Sequence, residues 1–133
     1  MIKYLLDTDT CIYVINRRPS HFKRLFNAHV GQLAISSVTW GELIYGAEKS
    51  KNTEKNLNVL EGFAGRLEVL PFCESAARQF GQIKTELECS GKPIGSYDMM
   101  IAGHARSEGL ILVTNNEDEF LRVSGLRVEN WMP

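Results

Sequence analysis

Short apolar runs alternate along this chain with segments of helical hydrophobic spacing, and this alternation limits the possible fold more than any other feature. The runs lead into polar or turn-forming residues, as buried strands do. They are Tyr4-Leu5-Leu6, Leu33-Ala34-Ile35, Val69-Leu70 and Leu110-Ile111-Leu112-Val113, with Arg127-Val128-Glu129 as a fifth, edge strand. Between them, residues such as Ala76, Phe80, Ile83 and Leu87 have the spacing of one apolar helix stripe. Strand followed by helix, repeated, predicts a three-layer α/β/α sandwich around a mostly parallel sheet of about five strands.

The chain has 133 residues, which suits one domain with a substantial core. No repeat or linker divides it, so we expect residues 1–133 to form a single domain. The start lacks a secretory signal, and no segment is long and apolar enough to span a bilayer, so we expect a cytoplasmic protein without membrane contact. Cys11, Cys73 and Cys89 are odd in number and far apart, which predicts reduced, partly buried thiols.

Acidic residues lie where the strands of the predicted sheet end. Asp7 follows the first strand, Glu42 is predicted to open the helix after the second, and Asp98 to open the helix before the fourth. Residues 114–119 then leave the fourth strand. Because the carboxyl ends of parallel strands share one edge of a sheet, we expect these side chains to converge there.

Helix capping also accounts for these residues one at a time. The candidate caps are Asp9 or Thr10, Thr39 with Glu42 as a T-x-x-E capping box, Ser96 ahead of Asp98, and Asn116. Asp98 is the hardest to explain in this way. At helical spacing it shares a face with Ile101, Ala102 and Ala105, where an uncompensated charge is costly.

Grouped carboxylates repel one another, and a divalent cation relieves that repulsion. Mg²⁺ and Mn²⁺ take oxygen ligands, often from one or two carboxylates, and leave other positions to water and phosphate oxygens. Such a site is typical of phosphodiester hydrolysis. The histidines His21, His29 and His104 lack the paired spacing of metal ligands.

The formal net charge is only −1, but the basic residues are unevenly placed. Residues 11–40 contain no acidic side chain, and they include Arg17, Arg18, Lys23 and Arg24. Such a cluster can follow a phosphate backbone, and it follows the first strand, so we expect it near the same sheet edge. The alternative is a solvated basic helix face.

Five stretches of the sequence together match a known family. They are residues 6–13 (LDTDTCIY), 35–46 (ISSVTWGELIYG), 97–105 (YDMMIAGHA), 112–116 (LVTNN) and 128–131 (VENW). In this order and over this length the chain resembles the VapC toxins of bacterial toxin-antitoxin pairs. The resemblance implies a PIN-domain endoribonuclease that needs Mg²⁺ or Mn²⁺.

By this resemblance Asp7, Glu42 and Asp98 match the family's three acidic positions. Asp7 and Asp98 match the usual metal ligands, and Glu42 would hold the ion directly or through water. Many relatives carry a fourth acid two residues after the threonine that corresponds to Thr114, where this chain has Asn116. Glu119 or Asp118 is then the candidate for the missing charge, with Thr114 and Asn116 in supporting roles.

The resemblance also implies partners. It predicts a VapB-like antitoxin that holds the enzyme inactive, often by placing an arginine into the carboxylate cluster, and a homodimer. Operator DNA would be reached only through the antitoxin. The substrate would be structured RNA, often the anticodon loop of a tRNA.

Two other functions stay open on the sequence. Asp7-Thr8-Asp9 after an apolar strand is similar to the D-x-D motif of haloacid-dehalogenase-type phosphatases, although Cys11 replaces the usual Thr or Val and the fourth strand leads into Thr114-Asn115-Asn116. The second alternative is a non-catalytic module that only binds a partner or nucleic acid, since fold alone does not fix activity.

Overall fold

The computed structural model describes residues 1–17 and 20–132, and it confirms the predicted α/β/α sandwich. Five strands form one sheet in the order β3-β2-β1-β4-β5. They are β1 (Tyr4–Leu6), β2 (Leu33–Ser36), β3 (Glu68–Leu70), β4 (Ile111–Val113) and β5 (Val128–Glu129). Every neighbouring pair is parallel. All five strands therefore end at the same edge of the sheet, and the predicted fifth strand is an edge strand.

Helices cover both faces of this sheet. The described residues form α1 (Thr8–Asn16), α2 (Ser20–Ala28), α3 (Ser37–Glu48), α4 (Thr53–Ala64), α5 (Glu74–Cys89), α6 (Ser96–Glu108) and α7 (Glu117–Phe120). The side chains of β1 alternate between two cores, because successive residues of a strand point to opposite faces. Tyr4 and Leu6 pack in one core with residues of α1 to α4, and Leu5 packs in the other with residues of α5 to α7.

Helix α6 lies unusually close to α5. A Cβ atom at Gly103 of α6 would lie 2.7 Å from the backbone nitrogen of Phe80 in α5, so only glycine allows this approach. The helix begins at Ser96 with Gly95 at its N-cap position, so the suggestion that Ser96 caps it was wrong. The close packing fixes α6, and with it the position of Asp98, against the rest of the fold.

All three cysteines are free, but only Cys11 is buried. Cys11 lies on the inner face of α1. Cys73 precedes α5 and Cys89 is its last residue, and both are exposed. The prediction of partial burial was therefore wrong for these two residues. No helix in the described part of the chain is long and apolar enough to cross a membrane.

Candidate active site

Asp7 lies at the carboxyl edge of the sheet, between β1 and α1. Its Oδ1 atom accepts the backbone N–H of Thr10 at 2.9 Å, and its Oδ2 atom accepts the hydroxyl of Thr114 at 2.5 Å. The residue is 4% exposed. Burial raises its pKa, although both hydrogen bonds act in the opposite direction. Asp7 itself is the N-cap of α1, in place of the suggested Asp9 or Thr10, because the strand runs directly into the helix.

Glu42 lies in the second turn of α3 and is held by a threonine from α1. The helix follows β2 without a loop, and Ser36 caps it by accepting a backbone N–H of the first turn at 3.1 Å. The predictions that Glu42 opens this helix and forms a capping box with Thr39 were therefore wrong. The Oε1 atom of Glu42 accepts the hydroxyl of Thr8 at 2.7 Å, and that hydroxyl lies 3.2 Å from Thr39 Oγ1.

Asp98 lies in the first turn of α6 and is partly buried. Burial raises its pKa to about 6, and the negative charges nearby contribute to that rise. Those charges, in decreasing order of effect, are Glu119, Asp7, Glu42 and Asp9. Carboxylates from three other segments of the chain thus act on Asp98.

Two residues, Glu119 and Asp118, are the candidates for the fourth acidic position. Glu119 acts most strongly among the neighbouring charges on the pKa of Asp98, whereas Asp118 is exposed and is not among them. The backbone N–H of Asn116 donates a hydrogen bond to Thr114 Oγ1 at 2.9 Å. Asn116 is the N-cap residue of α7, but its side chain makes no capping hydrogen bond.

The donor set suits a hard divalent cation. The site offers only oxygen ligands, and among residues 1–17 and 20–132 the ion pairs found are Arg78–Glu74 and Arg106–Glu86, so neither compensates these carboxylates. Within the same residues no three His, Cys, Asp or Glu side chains are placed to hold one ion together. Mg²⁺ is commonly held by one or two carboxylates with waters completing its shell, so the residues present fit such an ion.

Arg17 lies farther from Asp7 than the sequence suggested. Arg17 ends α1 in a left-handed conformation, with φ of 57°. A helix of this length extends about 13 Å, so Arg17 and Asp7 are at opposite ends of α1. Lys23 and Arg24 belong to α2, and Arg18 lies outside the described residues. A role for this segment in binding RNA stays a prediction.

Sequence reasoning missed two supporting residues. Thr8 orients Glu42 across 34 positions of sequence, a contact that only the tertiary fold creates. His104, set aside as a metal ligand, is fully buried in α6, and its Nδ1 atom lies 2.8 Å from Ser36 Oγ. Because Ser36 caps α3, this hydrogen bond links the helix that carries Asp98 to the helix that carries Glu42.

Comparisons with known proteins show the family of this chain. The model of the PIN domain family matches residues 4–126. The tRNA(fMet)-specific endonuclease VapC of Shigella flexneri is 54% identical over 98% of this chain and 99% of its own length. A crystal structure of DNA-bound VapBC from Salmonella typhimurium matches with a TM-score of 0.95 and 53% identity, over 99% of this chain and 100% of that one. VapBC2 from Rickettsia felis, bound to a promoter DNA fragment, matches with a TM-score of 0.93 and 41% identity, over the same shares. This chain therefore belongs to the VapC family of PIN-domain proteins.

Proposed function

We propose that this chain is the toxin of a type II toxin-antitoxin pair and acts as a metal-dependent endoribonuclease on structured RNA. One observation carries the proposal: burial and the charges of carboxylates from three other segments of the chain raise the pKa of Asp98 to about 6. Relatives named as tRNA(fMet)-specific endonucleases support tRNA as the substrate, and initiator tRNA as the first to test.

In this proposal Asp7 and Asp98 hold Mg²⁺ or Mn²⁺, Glu42 assists directly or through water, and Glu119 is the fourth acid. When bound, the cation supplies Lewis acidity toward the scissile phosphate and lowers the pKa of the attacking water. The threonines keep the ligands in place. Thr114 and the backbone N–H of Thr10 each occupy one oxygen of Asp7, and a carboxylate with about four acceptor positions retains further lone pairs for a cation.

We also propose that the chain pairs with a VapB-like antitoxin and forms a homodimer in the cytoplasm. Three of the similar solved structures are VapBC complexes, and two of these three contain DNA. Operator DNA would be contacted only through the antitoxin. Arg17, Arg18, Lys23 and Arg24 would contact the RNA backbone. Arg17 would do so away from the cut, since it lies about one helix length from Asp7.

The test is cleavage of a tRNA and rRNA pool, and of initiator tRNA, by purified protein without antitoxin. Reactions contain Mg²⁺ or Mn²⁺, and the new RNA ends are mapped. We expect a discrete cut that disappears with EDTA and in the Asp7→Asn variant. Asp118→Asn is the matched control, because it removes an exposed acid close to Glu119 in sequence and should leave cleavage intact.

Three results would contradict the proposal. No cut by folded, metal-supplied protein would favour a non-catalytic module. Equal cutting by wild type and Asp7→Asn would show that another centre does the chemistry. A phosphoaspartate trapped on Asp7 would point to a phosphatase.

A further inference from the structure

A groove of about 980 Å³ opens beside Glu42, between α1, α3 and α6. Its volume is at the upper end of the range usual for small-molecule sites, about 300–1,000 Å³. Two of its lining residues are exposed tyrosines: Tyr45 of α3 is 65% exposed and Tyr97 of α6 is 59% exposed. We call this feature the tyrosine groove. Its lining also includes Thr8, Asp9 and Glu42, so it adjoins the candidate active site.

One face of α3 combines three kinds of chemistry along the tyrosine groove. Glu42, Tyr45 and Lys49 follow one another at spacings of three and four residues, so they lie on the same side of the helix. The ammonium of Lys49 lies 4.8 Å from the centroid of the Tyr45 ring. From Glu42 to Lys49 the helix rises about 10 Å. A negative end, an aromatic middle and a positive end are therefore arranged in line.

Two glycines leave part of the α3 backbone without side chains along the tyrosine groove. Gly41 and Gly46 both line it. A Cβ atom at either position would have no heavy atom from elsewhere in the described chain within 4 Å. Glycine inside a helix costs roughly 0.5–1 kcal/mol relative to alanine, so packing within the chain does not explain these two residues. Glycines of this kind allow a ligand to approach the backbone closely.

We infer that the tyrosine groove binds an unpaired nucleotide of the RNA next to the cut. This inference rests on the proposed ribonuclease activity and adds the subsite that selects the substrate. The base stacks on Tyr45 and Tyr97, because aromatic side chains accept the faces of unpaired bases. A flanking phosphate pairs with Lys49, and the missing side chains at Gly41 and Gly46 give the ribose room. The requirement for an unpaired base explains why a loop, and not a duplex, would be cut.

The first experiment measures RNA affinity separately from cleavage. A fluorescein-labelled anticodon stem-loop of initiator tRNA is titrated with the inactive Asp7→Asn protein, and anisotropy is recorded. Adding Tyr45→Leu or Tyr97→Leu to this protein should weaken binding roughly 5- to 150-fold, the range expected for one lost base–aromatic stack. Tyr45→Phe keeps the ring and should bind as the parent does. In active protein the leucine variants should raise KM more than they lower kcat.

Gly46→Ala should raise the stability of the protein and lower its activity on RNA. The added Cβ atom meets nothing within the described chain, so the helix should become more stable while RNA binding and cleavage fall. Gly62→Ala in α4 is the control, since Gly62 also has free space and does not line the groove. That variant should gain stability and keep its RNA affinity.

The outcomes separate the two proposals. If Asp7→Asn abolishes cleavage but the tyrosine and Gly46 variants bind and cut RNA normally, the nuclease stands and the nucleotide subsite is wrong. If those variants weaken only the affinity for the antitoxin, the groove is a protein interface and the inference is also wrong. If no RNA is bound or cut by the parent protein, the proposed function fails, and the subsite fails with it.

Discussion

Replacing Asp98 with asparagine should stabilise the metal-free protein while it abolishes cleavage. Most point substitutions destabilise a fold, so the expected direction is unusual. It follows from the pKa of Asp98, which burial and then the charges of Glu119, Asp7 and Glu42 raise from 3.8 to about 6. Without a cation, the ionised form is less favourable in the native state than in the unfolded chain.

The size of the effect can be worked out from that pKa. At 1.36 kcal/mol per pH unit, the interval from 3.8 to about 6 corresponds to about 3 kcal/mol above pH 7. Asp98 is partly exposed to water, which screens its neighbours, so we expect about 1–2 kcal/mol to be measured. For a chain of this length that is a rise of about 3–8 °C in Tm.

Because the pKa of Asp98 is raised in the native state, the stability of the wild type depends on pH. Native Asp98 keeps its proton up to about pH 6, whereas the unfolded chain loses it near 3.8, so wild-type stability falls as the pH rises through this window. The asparagine side chain does not titrate, and the advantage of the variant should shrink as the pH is lowered from 7.5 to 4.5. Thermal unfolding in EDTA at both pH values measures this. Added Mg²⁺ should stabilise the wild type more than the variant, because it binds the native carboxylates.

Asp118→Asn is the control for removing one negative charge, and it should change Tm little at either pH. A wild type that is as stable as Asp98→Asn in EDTA at pH 7.5 would refute the reasoning. An advantage that is the same at pH 4.5 would also refute it, because it would show that asparagine helps by packing or helix propensity and not by removing a charge.

Three further predictions concern packing, ligand positioning and thiol access. Gly103→Ala should lower the free energy of unfolding in urea by about 1–3 kcal/mol, because its Cβ atom meets the Phe80 backbone at 2.7 Å. Gly81→Ala, on the exposed face of α5, is the control and should leave that free energy unchanged or raise it. Thr8→Val should reduce the cleavage rate roughly tenfold at limiting Mg²⁺, since Glu42 loses its 2.7 Å hydrogen bond. Thr8→Ser keeps the hydroxyl and should cleave as the wild type does. Equal rates for Thr8→Val and the wild type would show that Glu42 does not need this hydrogen bond. In the native protein Cys73 and Cys89 should react with a thiol reagent while Cys11 does not, and a third reactive thiol without denaturant would contradict its burial.

The three central strands, β1, β2 and β4, could be predicted because each is short, apolar and directly followed by polar residues. In a parallel sheet such strands are buried on both faces, so their sequence is nearly continuous in apolar residues. The strands also predicted the position of the candidate site. Parallel strands end at one edge of the sheet, so Asp7 and residues 114–119 are expected there without any knowledge of the helices. Asp98 was predictable for another reason: it is a charge on an otherwise small and apolar helix face.

The details that failed depend on where helices begin and how long they are. Sequence alone does not show that Ser36 is both the last residue of β2 and the cap of α3. This starts the helix early and moves Glu42 into its second turn, and it leaves the T-x-x-E pattern without a capping role. The position of Arg17 was misjudged because the length of α1 carries it away from the edge where the helix begins.

The chemistry of the supporting residues explains why this site should respond to a cation. Thr8, Thr10 and Thr114 orient the carboxylates through neutral hydroxyl and amide donors. Such donors fix geometry but carry no net charge, so the burial and the repulsion that together raise the pKa of Asp98 persist. A lysine or arginine in the same place would neutralise the cluster permanently and compete with metal for the same oxygens. In the proposed pairing, Mg²⁺ and an arginine supplied by the antitoxin would then be alternative ways to compensate one charge, and binding of either should weaken binding of the other.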